Sequence, residues 1–212
     1  VAGTLMQAIF ANPLAEPSII GVTSGAGVGA AVAIVFNVSF LGTFTVPALA
    51  FVSALVVTFI IYQFARHNGR VTVVHLILTG IAINAVCNAV IAFMVYLAPT
   101  ANREAIIFWQ MGSFNGSQWK HVWVVLPVVI LGIAVALRLG KQLDILALGE
   151  RAAAHTGVNV PVLRIVAIIA SAVLTAAAVA FAGLIGFVGL IVPHLLRSIV
   201  GPENSILIPA SA

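Results

Sequence analysis

A membrane protein built from several α-helices is the fold class that this sequence predicts, and three observations carry the reading. Only nine Lys or Arg and five Asp or Glu stand among 212 residues, 62% of which are hydrophobic, whereas soluble domains are roughly a quarter charged. The charges are far apart: none falls in 17–65, 71–102 or 165–196, and ~20 apolar residues cross a bilayer. The apolar stretches also lack the alternation of a barrel strand, so their backbone must satisfy its own hydrogen bonds as helix. The formal charge of +4 comes from residues scattered over loops, which leaves no basic patch for nucleic acid. Cys87 is the single cysteine, so no disulfide can form within the chain.

Proline, glycine, asparagine and charge place the elements in order. Residues 1–10 read as the tail of a crossing, closed by Asn12-Pro13. A second crossing covers 19–36, and a third covers 44–64 after the turn at 37–42. The fourth is Val73–Leu97, the fifth 121–137 and the sixth 165–182, with 184–200 a short seventh. The chain starts inside one apolar run and stops just after another, ILIPASA. The expectation is therefore an internal piece of a longer protein, forming one transmembrane domain over 1–212.

Lys and Arg set the orientation. Alternating the spans puts Arg66, Arg70, Arg138, Lys141, Arg151 and Arg164 on one side and Arg103 and Lys120 on the other, so the first side is cytoplasmic. Arg197 tests the end of this path. As one helix, residues 165–196 would measure ~48 Å, too long for a ~30 Å hydrocarbon core and too short for two full spans with a turn. Gly183, Gly186 and Gly189 stand three apart, each costing about 1 kcal/mol against Ala in a helix interior. A tight reversal near the outer side followed by a short return would bring Arg197 to the basic side.

Several segments stand out. Gly21, Gly25 and Gly29 form a small-xxx-small strip on an apolar helix, suited to close helix packing. The stretch 7–17, QAIFANPLAEP, holds two prolines and cannot be regular helix. The longest polar interruption, 138–164, is cytoplasmic. Within it, 143–155 reads as a short helix with Leu143, Leu146 and Leu148 toward the membrane and the patch Ala152–Ala154 exposed, ended by Gly157. On the outer side 98–120 is expected as a loop, with Trp109 and Trp119 in an interfacial belt. His67, His75, His121, His155 and His194 lack metal-ligand spacing, and no metal or cofactor is expected. His194 reads as a hydrogen-bonded structural residue and Cys87 as a small buried side chain.

Five motifs stand in one order across nearly the whole chain: NPLAEP (12–17), the glycine-rich helix after it, W-x-M-G-S (109–113), LALGE (146–150) and FVGLIVPHLLR (187–197). In that order they resemble the FecCD-type permeases, subunits of ABC importers for iron-siderophores, haem and cobalamin. The resemblance implies a ten-helix subunit that dimerises around a central pathway in the bacterial cytoplasmic membrane. Implied partners are a second permease, two ATP-binding subunits, an extracytoplasmic substrate-binding protein and membrane lipid. It makes Asn12 and Leu14 gate candidates, faced by Thr72, Val73 and Val74, where small hydroxyl residues would be the family-like choice. It makes 138–164 the ATPase-coupling segment, with Leu146, Gly149, Glu150, Ala152, Ala153 and Gly157 as its matching residues. Arg103 and Lys120 become candidate docking charges for the binding protein. An iron chelate, siderophore or haem, is the implied cargo, with cobalamin the alternative.

Other classes find less support. Gly140-Lys141 is followed by Gln142 and lacks the upstream glycine of a phosphate loop, so ATP hydrolysis is expected on a separate subunit. An intramembrane serine protease would need Ser24 and His194 as a dyad, and no motif flanks them. An ion-coupled carrier would place ionisable residues inside spans, and the predicted crossings carry no Asp, Glu, Lys or Arg.

Overall fold

The structure is a computed structural model and describes residues 1–67 and 70–212. Its described helices are α1 (Ala2–Phe10), α2 (Val22–Val35), α3 (Thr45–Ala65), α4 (Val73–Leu97), α5 (Thr100–Met111), α6 (Trp119–Ala147), α7 (Glu150–His155), α8 (Val160–Ala182), α9 (Val188–Val200) and α10 (Asn204–Ala210). The helical architecture expected from composition is the one observed. A two-residue antiparallel pairing of β1 (Arg66–His67) with β2 (Arg70–Val71) closes the turn between α3 and α4. The loop expected there falls partly on 68–69, outside the described residues.

Four helical segments are long and apolar enough to cross a membrane: Gly42–Ala65, Val73–Leu97, Trp119–Ala147 and Val160–Ala182. Three expected boundaries move. The second crossing is shorter than 19–36, because a 3-10 turn at Pro17–Ile20 and Gly21 at φ +77 precede the 14 residues of α2. The fifth does not stop at Leu137; α6 runs 29 residues with Pro127 inside it, ~44 Å, because no proline and no positive-φ glycine falls between Leu137 and Gly149. The sixth starts before Ile165. Asn159 caps α8 by accepting the Val162 N–H at 3.2 Å, and Pro161 follows in the first turn, so Arg164 lies within the helix.

The chain forms two compact units. One comprises residues 18–125 and 175–185. There α2 lies on α3 through its glycines: a Cβ at Gly25 would stand 2.7 Å from Val57 Cβ, and one at Gly29 would overlap the Leu49 carbonyl oxygen. The buried stripe of α4 is Leu76, Gly80, Cys87 and Ile91. Gly80 packs directly on the Ile19 carbonyl, and Ile91 reaches Gly27. The expected outer loop 98–120 instead opens with α5, anchored by two consecutive side chains. Asn102 donates to the Ile34 carbonyl at the end of α2 (2.8 Å), and Arg103 donates to the Val95 and Ala98 carbonyls at the end of α4 (3.1 and 3.2 Å). Orphan carbonyls at two helix ends are thereby satisfied from one turn of a third.

The other unit comprises 1–17, 126–174 and 186–212. Here α1 and α9 approach backbone to backbone, so that a Cβ at Gly3 would overlap the Gly189 carbonyl. Ser171, near the middle of α8, donates to the Ala2 carbonyl (3.2 Å). Near the far end of α1, Arg197 donates to Gln7 Oε1 at 2.7 Å. Since Gly3 meets Gly189 and Gln7 meets Arg197, α1 and α9 run parallel, and α9 starts level with the middle of α8. It is a short apolar helix of 13 residues, ~20 Å long.

Candidate functional site

The segment 138–164, expected on the cytoplasmic side, divides at Gly149. Leu143 and Leu146 belong to the end of α6 and are buried, whereas Leu148 is 78% exposed. The expected continuous helix over 143–155 is therefore two helices, since Gly149 at φ +111 redirects the chain. A second glycine, Gly157 at φ +86, ends α7, and a Cβ at either glycine would meet open space. Both backbones occupy the left-handed region that L side chains avoid. The expected exposed Ala152–Ala154 patch is only partly exposed: Ala154 faces outward and Ala152 is half-buried, but Ala153 is fully buried. Glu150 is the first residue of α7 and accepts from Arg164 Nη2 at 2.6 Å. Asp144, one turn before the end of α6, accepts the backbone N–H groups of Asn204 and Ser205 and so caps α10 from a neighbouring helix.

At the end of α1, Ala11 adopts φ +47 and terminates the helix. Asn12 Oδ1 then accepts the Leu14 N–H at 2.9 Å, an Asx turn that points Leu14 outward at 63% exposure. The loop returns to α9, where Pro17 Cδ stands 3.0 Å from the Cβ position of Gly189. Thr72 belongs to the other unit and caps α4, accepting from the His75 N–H at 3.3 Å; Thr72 and Val74 are exposed and Val73 is half-buried.

At the end of α8, Gly183 adopts φ +71, where an added Cβ would overlap the Trp109 carbonyl oxygen, and Ser113 donates its N–H to the Ala182 carbonyl at 2.7 Å. Thus W-x-M-G-S and the end of α8 are joined by backbone contact. Gly186 meets nothing within 4 Å. Lys120 is exposed, with Nζ 5.9 Å from the Phe44 ring centroid. Phe44, His121 and Phe181 form an edge-to-face cluster beneath it. Arg103 is exposed while its N–H groups cap α4.

Sequence reasoning missed the polar fastenings. Asn84, midway along α4, donates to the Ser18 carbonyl at 3.1 Å and accepts from the Ser24 hydroxyl, which also lies 3.2 Å from the Gly21 carbonyl. The acceptors of Ser24 are thus amide oxygens rather than an imidazole, and His194 is exposed, its expected structural hydrogen bond not found among the described residues. An Asn in the middle of an apolar span was the available signal. Cys87 is buried beside this network, as its small apolar character suggested.

Fold and site together define a multi-pass helical membrane protein with a short helix set between two glycine joints. The profile of the FecCD transport family matches residues 1–212. The cobalamin import system permease protein BtuC of Halobacterium salinarum is 42% identical over 213 residues, covering 100% of this chain and 57% of that protein. The hemin transport system permease protein HmuU of Yersinia pestis is 37% identical over 219 residues, covering 100% and 64%. A solved chain described as an inward-facing conformation of a metal-chelate type ABC transporter superposes with a TM-score of 0.90 at 34% identity, covering 99% of this chain and 67% of that one. The chain belongs to the FecCD transport family, and it spans about three fifths of the length of these curated relatives.

Proposed function

We propose that this chain is the core of a permease subunit in an ATP-driven importer of a bulky metal chelate. The observation that carries the reading is α7, a six-residue helix set between two glycines of positive φ and flanked by the exposed apolar Leu148. Such an element offers a small, separately jointed surface to a partner. In this reading Leu146, Gly149, Glu150, Ala152, Ala153 and Gly157 build the docking segment for a separate ATP-binding subunit. Closure of the ATPase pair pushes on α7, and rocking of the helices opens one end of the pathway as the other shuts. Asn12 and Leu14, with Thr72, Val73 and Val74, form the cytoplasmic gate. Arg103 and Lys120 meet an extracytoplasmic binding protein, and a second permease subunit completes the pathway in the cytoplasmic membrane of a bacterium.

The cargo is an iron chelate, haem or ferric siderophore, a reading supported by the likeness to a hemin permease. Cobalamin is the second reading, favoured by the 42% identity to a cobalamin permease. The full-length complex in proteoliposomes, offered labelled haem, ferric siderophore and cobalamin in parallel, decides between them. Transport of none would overturn the chelate reading. The permease without its ATPase subunits is expected to hydrolyse no ATP. Glu150→Arg with Gly157→Leu is expected to separate ATP hydrolysis from uptake; unchanged uptake per ATP would remove the docking role from α7.

A further inference from the structure

Arg164 is buried to 7% exposure in a place that helix electrostatics does not favour. It lies near the N-terminal end of α8, where the helix dipole disfavours a cation. Taking a guanidinium out of water is costly unless it is paired. One partner is Glu150 at 2.6 Å, fourteen residues earlier in the chain and itself 65% exposed. A charge-assisted bond of this length is among the stronger side-chain contacts. Glu150 in turn gains from the first turn of α7, where an anion is favoured.

The other attachments of α7 are softer. Gly149 and Gly157 join it to the chain at φ +111 and φ +86 with open space around them, and Ala153 is its one buried side chain. Two glycine joints let a short helix pivot, so they transmit displacement poorly. The ion pair is the stiff connection, reaching from the exposed surface of α7 into the buried first turns of α8. Arg164 is too buried to touch a docked subunit itself.

We propose that Arg164 is a positioning residue that couples α7 to α8, so that a displacement of α7 is delivered to the transmembrane helix through the Glu150 carboxylate. The inference rests on the reading that α7 docks the ATPase, and the experiment separates the two. Full-length permease carrying Arg164→Met, Arg164→Gln or Arg164→Lys is assembled with its ATPase subunits in proteoliposomes, and chelate delivered per ATP hydrolysed is measured. Arg164→Met and Arg164→Gln are expected to co-purify with the ATPase and to lose at least about fivefold in chelate per ATP, the lower end of ordinary inter-site coupling. Arg164→Lys, which keeps the charge, is expected to recover part of the loss. A merely structural role would lower thermal stability and leave the ratio alone. If Arg164→Met fails to assemble, Arg164→Gln, which removes the charge but keeps a polar head, carries the same test. An unchanged ratio in the assembled variants overturns the proposal. Ala154→Trp on the outward face of α7 reads the docking separately: intact assembly and full ATPase activity there would sink the docking reading, whatever Arg164 does.

Discussion

Gly183, Gly186 and Gly189 stand at equal intervals in one apolar run, yet the structure gives each a different physical setting. Alanine at each should therefore give three different results. At Gly183 the backbone sits at φ +71, the added Cβ would overlap the Trp109 carbonyl oxygen, and Gly112 Cα would be 2.8 Å away. A non-glycine residue in the left-handed region costs about 1–2 kcal/mol, and forcing a methyl against backbone costs about 1–3 kcal/mol more. At Gly186 the same methyl enters open space. Its main effect is then on the unfolded chain, a stabilisation of up to ~1 kcal/mol. Gly189 lies inside α9, with Pro17 Cδ 3.0 Å from the new methyl. A helix-propensity gain of ~1 kcal/mol is set against that close contact, and the net change should stay within about 1 kcal/mol. Apparent unfolding midpoints of the three full-length variants in one detergent check the order. Gly183→Ala should fall by roughly 6–12 °C for a loss of ~3 kcal/mol, with Gly186→Ala unchanged or raised and Gly189→Ala close to the parent. Equal damage from Gly183→Ala and Gly186→Ala would refute the reasoning, because it would mean that the spacing, rather than the neighbours, sets the cost.

A second contrast lies on α4 and α2. Gly80→Ala would drive a methyl into the Ile19 carbonyl, whereas Gly27→Ala would meet only the end of the Ile91 side chain at 2.8 Å. A loss of about 1–3 kcal/mol is expected for the first alone, read from thermal unfolding. Arg197→Met should cost about 1–3 kcal/mol by leaving the buried Gln7 oxygen without its donor. The double variant with Gln7→Leu should return close to the parent, and a double-mutant cycle that is additive would exclude the pairing. Asn84→Leu removes the bridge from α4 to the Ser18 carbonyl and Ser24 hydroxyl and should lower stability by about 1–3 kcal/mol. Ser24→Ala should cost less and leave uptake intact; loss of a proteolytic activity in that variant would contradict the permease reading.

The fold class was legible because membrane burial leaves its mark on composition, and the long spans were legible because charge cannot enter them. Boundaries were less so. Arg164 reads as a loop residue by charge, yet the Asn159 cap and Pro161 carry α8 past it, and Glu150 makes its burial tolerable. Arg138 and Lys141 likewise seem to end a span, but both lie in α6, whose last turns need not be in lipid. In segment 138–164, helix periodicity over 143–155 misjudged the joint. A positive φ at Gly149 is a property of one backbone, invisible to a seven-residue period. The bonds from Gln7 to Arg197 and from Asp144 to α10 join residues far apart in sequence, and nothing local announces such pairs.

Both units combine close glycine contacts with polar bonds, and the two kinds of fastening differ in where they let mechanical work enter. In the unit of α2, α3 and α4, closeness comes from glycines at 21, 25, 29 and 80, with backbone and side chain in direct contact. Such packing depends on shape, and dispersion falls off steeply once helices separate. In the unit of α1, α8 and α9, named polar bonds stand at helix ends: Gln7 with Arg197, Glu150 with Arg164, and Asp144 with the start of α10. A charge-assisted bond resists separation at one defined point and can pivot about it, as a broad glycine surface cannot. Segments that must move as levers are better held at such points than glued along their length. That is why substitutions at Gly80 should lower stability while leaving chelate per ATP unchanged, whereas substitutions at Glu150 or Arg164 should lower that ratio in complexes that remain assembled. Finding the two classes of variant indistinguishable in stability and in coupling would remove the distinction.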